Sequence, residues 1–201
     1  MDDKNYYERL PDSYHQKTKI DIKSDKKLVI WLYVTALLLI IPFAAVYYIF
    51  FRRNMSAVFT FSLWKTLIFL GSLFALTALH VLIHGMFLKL FAAHPKIKYG
   101  GPGLFTYAVN PDGYYNNNAY YLIALMPAIL INLGLVTALC FLYGAAFNIV
   151  YILLACHVSG CVRDIFVIYV LLRLPRHTVV NDTGLVMTFY TRKLTRKGSK
   201  K

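Results

Sequence analysis

FTFSLWKTLIFLGSLFALTALHVLIHGMFLKLF, residues 59–91, decides what kind of molecule this chain makes. The run is broken only by Lys65, His80, His84 and Lys89 and holds no acid. About 20 helical residues cross a hydrocarbon core of roughly 30 Å, so a run of this length predicts a tilted spanning helix. Three more stretches have the same character. They run from about Leu28 to Phe51, Tyr120 to Phe141 and Ala145 to Leu174, the last enclosing His157, Arg163 and Asp164. The chain is 58% hydrophobic and 15% charged over 201 residues, too apolar for the surface of a water-soluble domain. Lipid satisfies no backbone polar group, so the spans must be helices. The expected fold class is an all-α integral membrane protein, a four-helix transmembrane bundle with small interfacial β-hairpin elements. Hairpins are expected around Lys96–Val109, ahead of the turn Asn110-Pro111-Asp112-Gly113, and over His177–Tyr190, with a turn at Asn181-Asp182-Thr183-Gly184.

Charge divides the chain into a basic N-terminal tail, 1–27, a membrane domain, 28–174, and a basic C-terminal tail, 175–201. Seven Lys or Arg precede Leu28 and eight lie from Arg173 to Lys201, within a net charge of +13. Four spans put both ends on one side, and the positive-inside rule makes that side cytoplasmic in a multi-pass cell-membrane protein. Arg52 and Arg53 run against the rule. The run Arg192–Lys201 is expected to touch anionic lipid headgroups, and no nucleic-acid partner is expected. The polar first 27 residues predict no cleavable signal. Cys140, Cys156 and Cys161 all lie inside spans, an odd and buried set that predicts reduced thiols.

Ionisable groups at membrane depth are costly and usually functional. His80 and His84 stand at i, i+4 on one helical face, where two imidazoles can ligate one metal ion. Gly85 beside them is expected to admit a neighbouring backbone. On the last span His157, Gly160, Cys161 and Asp164 form one stripe. Asp164 is the acid of the four spans and must find a proton or a cation. One option is an ion pair with Arg163 or Lys89, although Arg163 is expected to project toward headgroups. The other is a metal ion shared with the histidines. Spans two and four run the same way, so His80, His84 and Asp164 should meet in the cytoplasmic half. Seven residues are about 10.5 Å of helix, so His157 and Asp164 should not hold one ion, and His157 is expected behind the ligands or along a pathway.

The segment His80-Val81-Leu82-Ile83-His84-Gly85 resembles the H-E-x-x-H-G motif of a bacterial family of membrane-embedded zincin peptidases, of the domain-of-unknown-function type and distantly similar to site-2 proteases. Cys161-Val162-Arg163-Asp164 resembles that family's late Gly-Asp helix, and Ala124-Leu125-Met126-Pro127 its intervening Pro-containing helix. The likeness covers roughly Thr60 to Tyr190. It implies a small helical membrane bundle, a Zn2+ cofactor held by His80, His84 and Asp164, and a transmembrane or membrane-proximal peptide as substrate. The chain departs from the family at Val81, where the motif has the glutamate that acts as general base. Glu8 is the one glutamate present, so no catalytic residue is assigned. Three readings follow: a relative that keeps the metal and has lost hydrolysis, an active variant with His157 as base, or an incidental change at position 81. The expected function is a zincin-like intramembrane metallopeptidase scaffold with impaired or absent hydrolysis. The alternative is a non-enzymatic membrane protein, such as a metal or proton transporter or an accessory subunit.

Overall fold

The computed structural model describes residues 4–51, 62–101 and 106–192. The pair Arg52–Arg53, the start of the second apolar run and the tail beyond Arg192 therefore lie outside the described residues. Among the described residues five helices form the bundle: α1 (Lys26–Phe51), α2 (Leu63–Phe91), α3 (Asn117–Leu139), α4 (Gly144–Gly160) and α5 (Val162–Leu172). The last two follow each other as one apolar rod, giving four helical segments long and apolar enough to cross a membrane. Their outer faces carry large apolar side chains such as Phe74 and Trp64, 78% and 74% exposed. An apolar exterior of that extent needs a hydrocarbon or protein cover. Two helix starts are fixed by side chains: Asp25 Oδ1 accepts the Leu28 N–H at 2.9 Å, and Asn116 Oδ1 accepts the Ala119 N–H at 2.8 Å.

The rod of α4 and α5 is interrupted at Cys161, where the expectation was one continuous helix. The Cys161 N–H still reaches the His157 and Val158 carbonyls at 3.0 and 3.2 Å. A new helix then starts, and Asp164 falls in its first turn, where the amide dipoles favour a carboxylate.

The β structure is larger than the expected hairpins. Strands β1 (Tyr6–Tyr7), β2 (Tyr14–Asp21), β5 (Tyr114–Asn116), β6 (Val179–Asp182) and β7 (Val186–Arg192) make a five-stranded antiparallel sheet in the order β1-β5-β6-β7-β2. Strands β3 (Lys98–Gly100) and β4 (Tyr107–Val109) pair separately. Residues at both chain ends, expected to be tails, therefore lie side by side, with His15 opposite Thr191 and Ile20 opposite Met187. The reason is burial. Val180, Met187 and Phe189 put their side chains into one cluster with Leu88 of α2, Ile123 of α3 and Val167 and Leu171 of α5. Strand β2 closes the far edge, its outward positions bearing Lys17 and Lys19, which discourage further strand pairing.

Tyr115 locks sheet to bundle. Its hydroxyl donates to the Leu88 carbonyl at 3.2 Å and accepts from Asn110 Nδ2 at 3.1 Å. Burial pushes this phenol up to about 12, against a smaller downward pull from the Asn110 hydrogen bond, so it stays a donor at any ordinary pH.

Candidate metal centre

Helix α2 presents His80 and His84 on one face, with ring centroids 4.8 Å apart. Helix α5 brings Asp164 to both: Oδ2 lies 3.2 Å from His80 Nε2, and Oδ1 lies 3.5 Å from His84 Nε2. The two Nε2 atoms are 3.1 Å apart. The three side chains thus form a triangle in which the facing nitrogen and oxygen atoms, one carboxylate oxygen toward each imidazole, are 3.1–3.5 Å apart. Zinc bonds to N and O ligands are about 2.0–2.1 Å long, which places tetrahedral neighbours roughly 3.3–3.4 Å apart. The triangle has the size such an ion needs.

The outer nitrogens decide what the inner ones can do. His84 Nδ1 lies 2.9 Å from the Ile123 carbonyl, which can only accept, so Nδ1 carries the proton. That carbonyl is free for a reason written in the sequence. Within α3 it would ordinarily take the N–H of the residue four positions on, and that residue is Pro127, which has none. On the other side, Asn132 Oδ1 accepts from His157 Nδ1 at 2.7 Å. His157 Nε2 then accepts from His80 Nδ1 at 3.1 Å. In both His80 and His84 the outer Nδ1 therefore carries a proton, and Nε2 faces the Asp164 carboxylate. This is the backing that metal-binding histidines usually have.

His157 and Asp164 contact opposite nitrogens of His80, so His157 stands behind the triangle. Cys161 lies beside it, Sγ 3.9 Å from His157 Nδ1, and His80, His157 and Cys161 form a second group of metal-ligand type. Gly160 lines the cavity with His157 and Asp164. Two expectations need correction. Arg163 does not reach outward: it is buried, and its Nη2 donates to the Gly184 carbonyl and lies 3.8 Å from Asp182 Oδ2. It is a side chain rather than a backbone that approaches Gly85, since a Cβ there would strike the Tyr99 hydroxyl. An ion pair of Asp164 with Arg163 or Lys89 is absent among the described residues, the carboxylate facing the two imidazoles instead.

The triangle opens on a cavity of about 410 Å³ between bundle and sheet. Its wall runs from Leu73 and Thr77 on α2, past Val81 and Ile123, to β4 and to Asp182 and Met187 of the sheet. Val81, in the general-base position of the motif, is 6% exposed and belongs to the apolar core. Sequence reasoning missed Asn132, Tyr120 and Asp182. Asn132 had a signal, being an amide inside an apolar span. Asp182 looked like a turn residue, and it accepts the Tyr120 hydroxyl at 2.6 Å.

Among the described residues, four helical segments long and apolar enough to cross a membrane include one with a paired-histidine face and one that turns an acid toward it. The family model described as "Putative zincin peptidase" matches residues 73–179, a stretch that includes His80, His84, His157, Asn132, Pro127 and Asp164, and the chain belongs to that family. No curated protein and no solved structure matched the chain.

Proposed function

We propose that this chain is a membrane-embedded zincin-type protein that holds Zn2+ with His80, His84 and Asp164 and has little or no hydrolytic activity of its own. One observation carries the reading: the hydrogen bonds that His84 makes to the Ile123 carbonyl and His80 to the His157–Asn132 pair leave both Nε2 atoms facing one carboxylate, Asp164. A proton on one imidazole would serve part of that triangle, whereas a divalent ion at its centre serves all three ligands. When bound, zinc supplies Lewis-acid chemistry, polarising a carbonyl and activating water. The residues around it orient and shield: Pro127 frees the carbonyl that turns His84, His157 turns His80, and the apolar wall keeps water out.

The cavity suits a peptide segment from a transmembrane or membrane-proximal stretch, because its surface is mostly apolar and β4 runs along it. Membrane residence with both ends cytoplasmic is supported by the four apolar segments, by the pairing of β2 with β7 and by the basic residues at both ends. Hydrolysis is expected to be weak because Val81 cannot take a proton. His157 is a poor replacement, since both of its ring nitrogens are engaged.

Elemental analysis of detergent-purified protein tests the reading. About one zinc per chain is expected, lost on chelation and absent from His84→Ala. A zinc-free parent, purified without chelator, would count against it. Pro127→Ala gives a sharper result with opposed signs. Restoring an N–H at position 127 lets the Ile123 carbonyl return to its helix, which gains up to about 3 kcal/mol. The His84 ring loses its anchor, and zinc affinity is expected to fall about 10–100-fold. Chelator competition and thermal unfolding read the two effects separately. Unchanged affinity would mean that the Ile123 contact does not orient the ligand.

A further inference from the structure

Arg163 stands one residue before Asp164 and is 7% exposed. Its guanidinium is held by the Gly184 carbonyl and by Asp182, and Asp182 is held in turn by the Tyr120 hydroxyl and the Gly184 N–H, at 2.6 and 2.7 Å. Gly184 can turn its carbonyl this way because it sits at φ +99. Those contacts use Nη2. Nε is closed off from solvent and has no hydrogen-bond partner among the described residues. The side chain lines the same cavity as His80, His84 and Asp164. A buried cation with an unmet donor beside a ligand-sized space calls for an acceptor from outside the chain.

Charge fixes the kind of acceptor. A divalent ion and Arg163 bring three positive charges, while Asp164 and Asp182 bring two negative ones. One positive charge remains in an apolar wall of Val81, Leu88, Ile123, Val167 and Met187, where an unbalanced charge is costly. A single carboxylate on an aliphatic body removes the excess and suits the lining. We infer that the cavity binds ligands ending in a carboxylate, of the amino-acid or peptide C-terminus type, with Arg163 as the anchor for that group. The inference rests on the metal reading for its charge balance and on Arg163 for its donor.

N-acetyl-leucine and its uncharged amide, N-acetyl-leucinamide, distinguish the two supports when titrated calorimetrically into zinc-loaded and chelated protein. The acid is expected to bind zinc-loaded protein at least about tenfold more tightly than the amide. In Arg163→Gln the preference should fall below about twofold with zinc content unchanged. Arg163→Lys keeps a cation beside Asp182 if the glutamine variant fails to fold, and should also lose most of the preference. In protein labelled with 15N-arginine, the Nε–H resonance absent from Arg163→Lys should shift with the acid and stay in place with the amide. Equal binding of acid and amide to zinc-loaded protein, or a full acid preference in both variants, would overturn the assignment. Should the parent carry no zinc yet lose an acid preference on Arg163→Gln, the anchor stands and the metal reading falls. Zinc with no acid preference gives the converse.

Discussion

Asp164→Asn is expected to abolish stable zinc binding while leaving the fold in place. The carboxylate is the one anionic member of the triangle, and it faces Nε2 of both imidazoles. Removing it leaves a divalent ion facing two neutral ligands in a partly buried site. Taking away one partner of a buried charge pair costs about 3–5 kcal/mol, which corresponds to a loss of at least about a hundredfold in affinity. The amide is nearly isosteric, so packing against His80 and His84 should survive. Two measurements separate the ion from the fold. In the parent, zinc at about a hundred times its dissociation constant adds roughly 2.7 kcal/mol to stability, and a chelator should lower the unfolding temperature by several degrees. In Asp164→Asn the chelator should change nothing. A variant that still binds zinc as the parent does would remove Asp164 from the ligand set.

The helices, the histidine pair and the late acid could all be seen in the sequence, because each is announced locally. Apolar runs of sufficient length have few other uses, and His80 and His84 lie on one face by helical spacing alone. What could not be seen depends on distant partners. Tyr14–Asp21 alternates as a strand should, yet its polar residues resemble a tail until β7 pairs with it from the other end of the chain. Asp182 has the composition of a turn, and only the packing of the hairpin against α5 brings it to Arg163. Pro127 was visible as a motif residue, but its consequence was not. A proline in a helix frees a carbonyl four residues earlier, and whether that carbonyl is wasted or used depends on which side chain faces it. Here that side chain is His84. The break at Cys161 was hidden as well, since the composition of α4 and α5 is uniformly apolar.

Val81→Glu is expected to give the largest gain in activity of any single substitution. Position 81 is next to His80 and lines the cavity that the triangle faces. An isopropyl group there excludes water but cannot accept a proton. General-base assistance contributes about 10²–10⁴-fold, and hydrolysis of a membrane-solubilised, internally quenched apolar peptide should rise by that order over the parent. The substitution carries a cost, because Val81 is 6% exposed and packs with the core around Leu88 and Ile123. An unpaired carboxylate would be destabilising in that position. A divalent ion and the Arg163 guanidinium on the same cavity offset the penalty, so the gain should require zinc and vanish on chelation or in the double variant with His84→Ala. Parent protein that already cleaves as fast as Val81→Glu would show that a base exists elsewhere in the cavity. His157→Ala would then be the next substitution to make, although abolishing activity through His157 would require its hydrogen bonds to His80 and Asn132 to break during turnover.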